Sequence, residues 1–361
     1  SIPHDLLLCK LNAYGFSNDA CQFMKSYLMC RQQRVKLQNV RSEWKSTTRG
    51  IPQGSCLGPL LFNVFLNDIF CLTKETHLFN YADDNTISTS NVNVEKVVEI
   101  LITEGNMFIN WFNENSMKVN SEKFQVMFLK PHRKQGKLPE KLTINESVIE
   151  VSNCVKLLGI NIDEDLNFDK HVHEICSKAS RQLKVLFRFK NVLGKKEKML
   201  MFKTFILSCF NFCPVVWHFC GKVSTRKIEK VQERALRFLL NDYQSSYSEL
   251  LQLSGNCTMY VSRLKSIAIE VFKCVYKLNP MYLDQMFRIK QVMHNLRDPL
   301  LLSVPKFNQM KYGKNKLSYH GAHIWNMLPN CYKHTIEYKE FCSLIRRWQG
   351  PSCKCNICGL S

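Results

Sequence analysis

The chain has 361 residues, with 50 Lys and Arg against 30 Asp and Glu, a formal net charge of +20. A composition 45% hydrophobic and 11% aromatic excludes a disordered chain, and the length suggests about two or three domains. The basic excess favours a polyanionic partner, nucleic acid before membrane, but charge alone does not separate this from a basic globular protein with no such partner. Seventeen cysteines, odd in number and scattered along a long chain, argue against a secreted disulfide framework. They point to a reducing intracellular compartment, cytoplasm or nucleus, with most of them serving as small core hydrophobes. The most apolar stretch, Thr204 to Cys220, contains Asn211, Pro214 and His218, so a buried helix ending near Pro214 is expected rather than a membrane span. The chain opens at Ser1 without Met and runs straight into a helical pattern, which reads as a piece of a longer protein.

Residues 1 to 40 predict two helices broken near Gly15-Phe16-Ser17, and alternation over residues 34 to 48 predicts a short β-hairpin. A Gly/Pro-punctuated loop from Arg49 to Pro59 leads into an apolar helix from Leu60 to about Phe70. His77 to Tyr81 and Thr86 to Ser88 predict strands around an Ala82-Asp83-Asp84-Asn85 turn. A helix of about five turns follows, with Val94, Val97, Val98, Leu101, Phe108, Ile109 and Phe112 on one face. Met117 to Val119, Phe124 to Leu129, Thr143 to Val151 and Val155 to Ile162 predict further strands, together an α+β layer with one sheet covered by helices. After Asp165 nearly everything to about residue 290 reads helical. Residues 166 to 240 hold 16 Lys and Arg against 5 Asp and Glu, more than half of the net charge in about a fifth of the chain.

Asp83 and Asp84 are adjacent carboxylates at a strand reversal. Asp is ordinary turn chemistry, but two neighbouring carboxylates repel unless a cation neutralises them. Hard oxygen ligands on a rigid turn suit Mg²⁺, held by one or two carboxylates together with substrate phosphates. About thirty residues upstream, Gly54 lets backbone approach a ligand closely, and Gln53 offers hydrogen bonds to a base or sugar edge. Downstream, Lys123 is placed to face a phosphate or protonate a pyrophosphate leaving group, or else is a solvated surface lysine.

In this order the residues resemble the reverse transcriptases of non-LTR (LINE-type) retrotransposons. Arg49-Gly50-Ile51-Pro52-Gln53-Gly54-Ser55 through Phe62 looks like the family's nucleotide and template loop, and Asn67-Asp68-Ile69 like the segment after it. Tyr81-Ala82-Asp83-Asp84 looks like the catalytic box. Trp111-Phe112, Met117 to Asn120, Lys123 and Met127 resemble the next motif, and Leu157-Leu158-Gly159-Ile160 resembles the primer-grip strand. The resemblance implies a right-hand polymerase, with a palm that is an antiparallel sheet packed on helices and a helical thumb. It divides the chain into a partial palm over 1–165, a basic thumb-like region over 166–290 and a C-terminal region over 291–361. It implies RNA-directed DNA polymerisation by two Mg²⁺ ions, on an RNA template and DNA primer, with deoxynucleoside triphosphates as substrates. Asp83 and Asp84 would be catalytic and hold metal, Lys123 would lie beside the phosphates, and Gln53, Gly54 and Tyr81 would contact nucleotide and template. The family's third aspartate and its fingers fall upstream of the segment that Ser1 to Asp5 resembles. The alternative expectation is therefore a non-catalytic nucleic-acid-binding remnant.

From Thr225 to Leu240, Ile228, Val231, Ala235, Leu236 and Leu239 share one helical face, while Lys227, Lys230, Arg234 and Arg237 recur on another. With Lys184, Arg188, Lys190, Lys195, Lys196 and Lys198 nearby, the basic stripe reads as a phosphate-contacting face for an RNA–DNA hybrid. Near the C-terminus, Tyr319 to Asn326 with Leu328-Pro329 resembles a phrase of the same polyproteins without evident chemistry. The tail Cys353-Lys354-Cys355-Asn356-Ile357-Cys358 supplies three thiolates where Zn²⁺ takes four ligands. Neither Cys342 nor His334 lies at a standard finger spacing, so the reading is an unstructured tail, with zinc as the alternative.

Overall fold

A computed structural model describes residues 2–129, 138–290, 300–307 and 313–350. It divides into two compact units, Ser1–Val155 and Lys156–Ser361. The first unit begins with α1 (His4–Ala13) and α2 (Asn18–Leu28), broken as expected by Gly15, which takes a left-handed φ of 86°. The Ser17 hydroxyl caps α2 by accepting from the Ala20 N–H at 3.3 Å. Strands β1 (Arg31–Gln33), β2 (Lys36–Leu37), β3 (Val40–Arg41) and β4 (Lys45–Thr47) form a ribbon, β1 pairing with β4 and β2 with β3. Next come α3 (Leu57–Leu66), a 3₁₀ turn (Asn67–Leu72), β5 (His77–Tyr81), β6 (Asp84–Ser88) and the 21-residue α4 (Val94–Glu114).

The apolar stripes of these helices meet in one core of Ile2, Leu7, Leu11, Leu28, Leu61, Phe65, Leu66, Ile69, Phe108 and Trp111. Lys10 lies within it, its ammonium 2.8 Å from Asp68 and 2.9 Å from the Phe65 carbonyl, over the Phe65 and Trp111 rings. Asp68 thus gains a structural role, neutralising a cation sunk among apolar side chains.

The single sheet expected from strand patterning is not formed. The described strands make five separate two-stranded antiparallel ladders, including β7 (Lys141–Ile144) with β8 (Ser147–Glu150) and β9 (Cys154–Leu157) with β10 (Ile160–Asp163). Residues 117–119 and 124–129 are not strands: Val126 makes one isolated parallel bridge to Val151, and Met117 and Phe124 are held by apolar packing instead. The strands expected over Thr143 to Val151 and Val155 to Ile162 are each broken into a hairpin: β7 and β8 reverse at Asn145-Glu146, and Leu157 ends β9 and Ile160 opens β10 around Leu158 and Gly159, both left-handed at φ 46° and 86°. The fold is mixed α+β with small antiparallel ribbons.

The second unit is helical after β10. It contains α5 (Asp169–Phe187), α6 (Lys195–Met201), a π-helical turn (Phe202–Leu207), α7 (Ser208–Asn211), α8 (Pro214–Trp217), α9 (Lys222–Leu240), α10 (Tyr247–Ser254), α11 (Met259–Val275) and α12 (Met281–Asp284). Further on come α13 (Leu317–Met327), α14 (Asn330–Lys333) and α15 (Tyr338–Arg347). Helical structure in the apolar stretch stops before Pro214, which opens α8 at a position needing no N–H. Among the described residues no helix is long and apolar enough to cross a membrane.

α5, α9 and the segment from Phe202 to Phe210 enclose one core around Phe202, Trp217, Leu236 and Phe238. α11, α13 and α15 enclose another around Phe272, Trp325 and Phe341. The phrase Tyr319 to Asn326 is this second core's hinge pin. Trp325 is fully buried and donates to the Leu300 carbonyl at 2.8 Å, while the Asn326 amide bonds both backbone groups of Leu302 at 2.8 and 2.9 Å. A Cβ on Gly321 would stand 2.7 Å from the Phe287 ring and 2.8 Å from Val271, so only glycine permits this approach.

Beside these cores lies an imidazole cluster. The His218 and His320 rings are 5.8 Å apart, and Nδ1 of each, with Nε2 of His323, is buried without a hydrogen-bond partner. Arg263, 1% exposed, lies over Trp217 and Tyr260. The expectation for cysteines is corrected. All fourteen in the described residues are free, but only Cys176, Cys209, Cys220 and Cys274 are buried.

Candidate functional site

Strands β5 and β6 pair from His77↔Ser88 to Tyr81↔Asp84, so the reversal is a two-residue loop, Ala82-Asp83, rather than the four-residue turn expected. Asp84 is the first residue of β6, because the ladder extends two residues further than β propensity suggests. Alternation sends Leu78 and Ile87 into the core and leaves His77, Phe79 and Tyr81 outside, Tyr81 68% exposed. Two asparagines that composition did not single out brace the loop. Asn80 donates to the Ala82 carbonyl at 3.0 Å and to Asn85 Oδ1 at 2.7 Å, and the Asn85 amide reaches the Asp83 carbonyl at 3.4 Å. They face each other across the ladder, one pair out from Tyr81↔Asp84. Ala82 is held left-handed at φ 54°, a conformation that costs a non-glycine residue about 1 kcal/mol or more. The two carboxylates are exposed, and among the described residues no basic side chain pairs with either.

The start of β5 is tied to α4 by Glu104. This buried carboxylate accepts from the Lys74 N–H at 3.2 Å, the Glu75 N–H at 2.7 Å and the Thr76 hydroxyl. Burial opposes its ionisation, yet the gathered donors win and hold its pKa below the ordinary carboxylate value. Glu104→Gln is expected to destabilise the first unit by about 1.5–3 kcal/mol, the usual worth of charged hydrogen bonds. Because the folded pKa is depressed, this stabilisation is complete above the ordinary carboxylate pKa and fades as pH falls through the folded value. Urea midpoints at pH 7 and pH 3 check both statements: the gap between wild type and variant should shrink in acid.

The glutamine loop is fastened at both ends. The Ser55 hydroxyl donates to the Pro52 carbonyl at 2.7 Å and accepts from the Gly58 N–H at 3.0 Å. Gly50 donates to the Ile2 carbonyl at 2.7 Å and its own carbonyl lies 2.7 Å from His4 Nε2. Between these ties Gly54 takes φ 80°, and Gln53 and Gly54 are exposed. Ile51 and Leu57 of this loop, Leu78 and Ile87 of the acidic hairpin, and Phe112 and Met117 all pack on the same core. One core therefore carries the glutamine loop and the aspartate hairpin. Lys123 is exposed in a 3₁₀ turn (Ser121–Lys123) whose next residue, Phe124, packs on a separate small cluster with Ile109, Ile144 and Ile149. Among the described residues no hydrogen bond or ion pair joins Asp83 or Asp84 to Gln53, Gly54 or Lys123.

Residues 1–162 match the family model for reverse transcriptase (RNA-dependent DNA polymerase). Over this stretch the chain is similar to reverse transcriptases. The chain is 27% identical over 226 residues to the RNA-directed DNA polymerase from mobile element jockey of Drosophila melanogaster, an alignment covering 59% of this chain and 24% of that protein. It is 25% identical over 249 residues to the probable RNA-directed DNA polymerase from transposon BS of the same fly, covering 65% and 27%. It is 25% identical over 217 residues to the retrovirus-related Pol polyprotein from type-1 retrotransposable element R1 of Bradysia coprophila, covering 58% and 21%. The chain spans about a quarter of the length of these relatives. The resemblance to non-LTR retrotransposon reverse transcriptases holds.

Beyond the reverse transcriptase match, α9 separates its two stripes as periodicity predicts. Ile228, Val231, Ala235, Leu236 and Leu239 are buried, and Lys227, Lys230 and Arg234 are exposed. Arg237 is half-buried and pairs with Glu233 at 2.8 Å, so its charge is partly engaged within the helix. Lys198 is corrected from a surface cation to a buried one, its ammonium 5.6 Å from the Phe238 ring centre. The glutamate of α9 that mattered went unnoticed in the sequence: Glu229 accepts from the Tyr247 hydroxyl and from the Met259 and Tyr260 N–H groups, joining α9 to α10 and capping α11. Cys353, Cys355 and Cys358 lie outside the described residues.

Proposed function

We propose that the chain carries the palm and thumb of an RNA-directed DNA polymerase of a non-LTR retrotransposon, with Asp83 and Asp84 as the metal-holding carboxylates. The observation that supports it most is the family match over residues 1–162 together with an exposed, braced acidic loop on the core that also carries the glutamine loop. Two adjacent carboxylates with free oxygen donors and no competing cation among the described residues fit Mg²⁺, which takes one or two carboxylates and completes its shell with water and phosphate. Bound there, Mg²⁺ supplies activation of a primer 3′-hydroxyl and neutralisation of charge on leaving pyrophosphate. Gln53 and Gly54 shape the nucleotide pocket, Tyr81 offers its exposed ring to nucleotide or template, and Lys123 meets phosphate. Lys227, Lys230, Arg234 and Arg237 follow the backbone of an RNA–DNA hybrid without reading its sequence.

The test is primer extension on an RNA template with deoxynucleoside triphosphates and Mg²⁺, by this chain alone and joined to coding sequence upstream of Ser1 where the gene provides one. Template-directed incorporation that stops on chelation is the expected result. Hybrid binding without incorporation in either form would select the non-catalytic remnant instead.

A further inference from the structure

The ribbon from Arg31 to Thr47 is the least buried element of the first unit. Residues 30–46 are all exposed, and Val35, Leu37 and Val40 stand 71, 75 and 73% open. The ribbon is nevertheless continuous: between its two ladders the Ser42 N–H donates to the Val35 carbonyl, and the Val35 N–H to the Ser42 hydroxyl, both at 2.9 Å. A two-stranded ribbon with no covered face is marginal in water, so a partner is called for.

The charge says which kind. Arg31, Arg34, Lys36, Arg41 and Lys45 face a single acidic residue, Glu43, and among the described residues none of the five forms an ion pair. Arg31 is used locally, donating to the Tyr27 carbonyl at 2.6 Å and lying 4.7 Å from the Tyr27 ring centre. Lys36 and Arg41 are directly opposite in the register, while Leu37 and Val40 are opposite each other on the other face. Like charges directly opposed destabilise a ladder unless an anion sits across them. Arg34 lies 4.4 Å from the ring centre of Trp44, leaving an extended cationic stack at the ribbon's side.

We propose that this ribbon binds a single-stranded nucleic-acid segment, with Lys36 and Arg41 on phosphate and the Arg34–Trp44 stack under an unpaired base. A duplex keeps its base faces covered and would use only the cations; an unpaired strand uses both. A protein partner of the apolar tip would leave four cations unanswered. The inference rests on the proposed polymerase reading only in taking nucleic acid as the partner; it does not depend on catalysis.

The experiment measures fluorescence anisotropy of labelled single-stranded RNA, single-stranded DNA and an RNA–DNA duplex against the 361-residue chain across a salt series. In Lys36→Ser with Arg41→Ser, losing two phosphate contacts should flatten the single-strand salt slope by about 1.4, and Lys36→Arg with Arg41→Lys should restore it. Trp44→Ala should weaken single-strand binding roughly 5- to 150-fold, the range for one stacked base, and duplex binding far less. Circular dichroism confirms folding of each variant. Wild-type affinity and slope in both loss variants would overturn the proposal, as would an effect confined to self-association in sedimentation. Absence of binding by the wild-type chain would overturn it together with the nucleic-acid reading. Failed primer extension with variant-sensitive strand binding would strike the polymerase reading alone.

Discussion

Asp83→Asn combined with Asp84→Asn is expected to abolish primer extension, by about a thousandfold or more, in whichever form of the chain extends a primer. Each change keeps the side chain's size and replaces a charged oxygen donor with a neutral amide, a poor ligand for a hard cation. Loss of the metal's charge stabilisation is worth several kcal/mol of barrier, and about 1.4 kcal/mol is a factor of ten in rate. Folding should be unaffected. Neither carboxylate supports the loop, which is braced through Asn80, Asn85 and backbone carbonyls. Hybrid binding should also persist, since the basic stripe of α9 is a separate element. Extension measured beside thermal melting and hybrid binding separates a chemical defect from a structural one. Incorporation surviving the double change would mean that these carboxylates are not the metal ligands.

The second unit is expected to lose stability between pH 6.5 and 5, before carboxylates titrate. Burial pushes His218 well below the ordinary histidine value, with Arg263 and His320 adding repulsion. Burial brings His320 down to about 4, aided by His323 and Lys314, and lowers His323 and His171 as well. Above pH 6.5 these imidazoles are neutral folded or unfolded and contribute no pH dependence. As pH falls below that, the unfolded chain takes up protons that the folded chain refuses, so the folded state becomes less favoured. For His320 alone the loss spans the interval from 6.5 to about 4 and approaches roughly 3 kcal/mol at its end. Denaturation followed by fluorescence of Trp217, Trp325 and Trp348 should show a lower urea midpoint at pH 5.5 than at pH 7.5. His320→Phe should reduce that difference. A midpoint unchanged over this interval would contradict neutral, buried imidazoles.

Much was legible from residue order alone. The break at Gly15, the two stripes of α9 and the existence of the acidic hairpin follow from local rules: left-handed backbone favours glycine, and apolar residues recur at the helical or strand period. The catalytic resemblance was legible because its residues lie in short, contiguous motifs. The strand ladders were not, because pairing is a property of two segments at once. Met117 to Val119 carry strand-like residues yet find no ladder partner among the described residues, and Leu157 to Ile160 alternate plausibly but bend at two consecutive left-handed residues, Leu158 and Gly159.

Buried polar groups were hidden for the same reason. Glu104, Arg263 and His218, which are buried, and Lys10 and Glu229, which are half-buried, look like ordinary surface residues until distant segments close over them. Glu104 needs backbone donors some thirty positions upstream, and Lys10 needs an aspartate 58 positions downstream. Residue order along the chain was enough to show the resemblance to reverse transcriptases over residues 1–162, since that resemblance rests on side-chain identity in short contiguous motifs. Which carboxylate stays exposed and which is spent holding a strand was decided only by packing, because exposure and hydrogen-bond partnership arise between segments far apart in the chain.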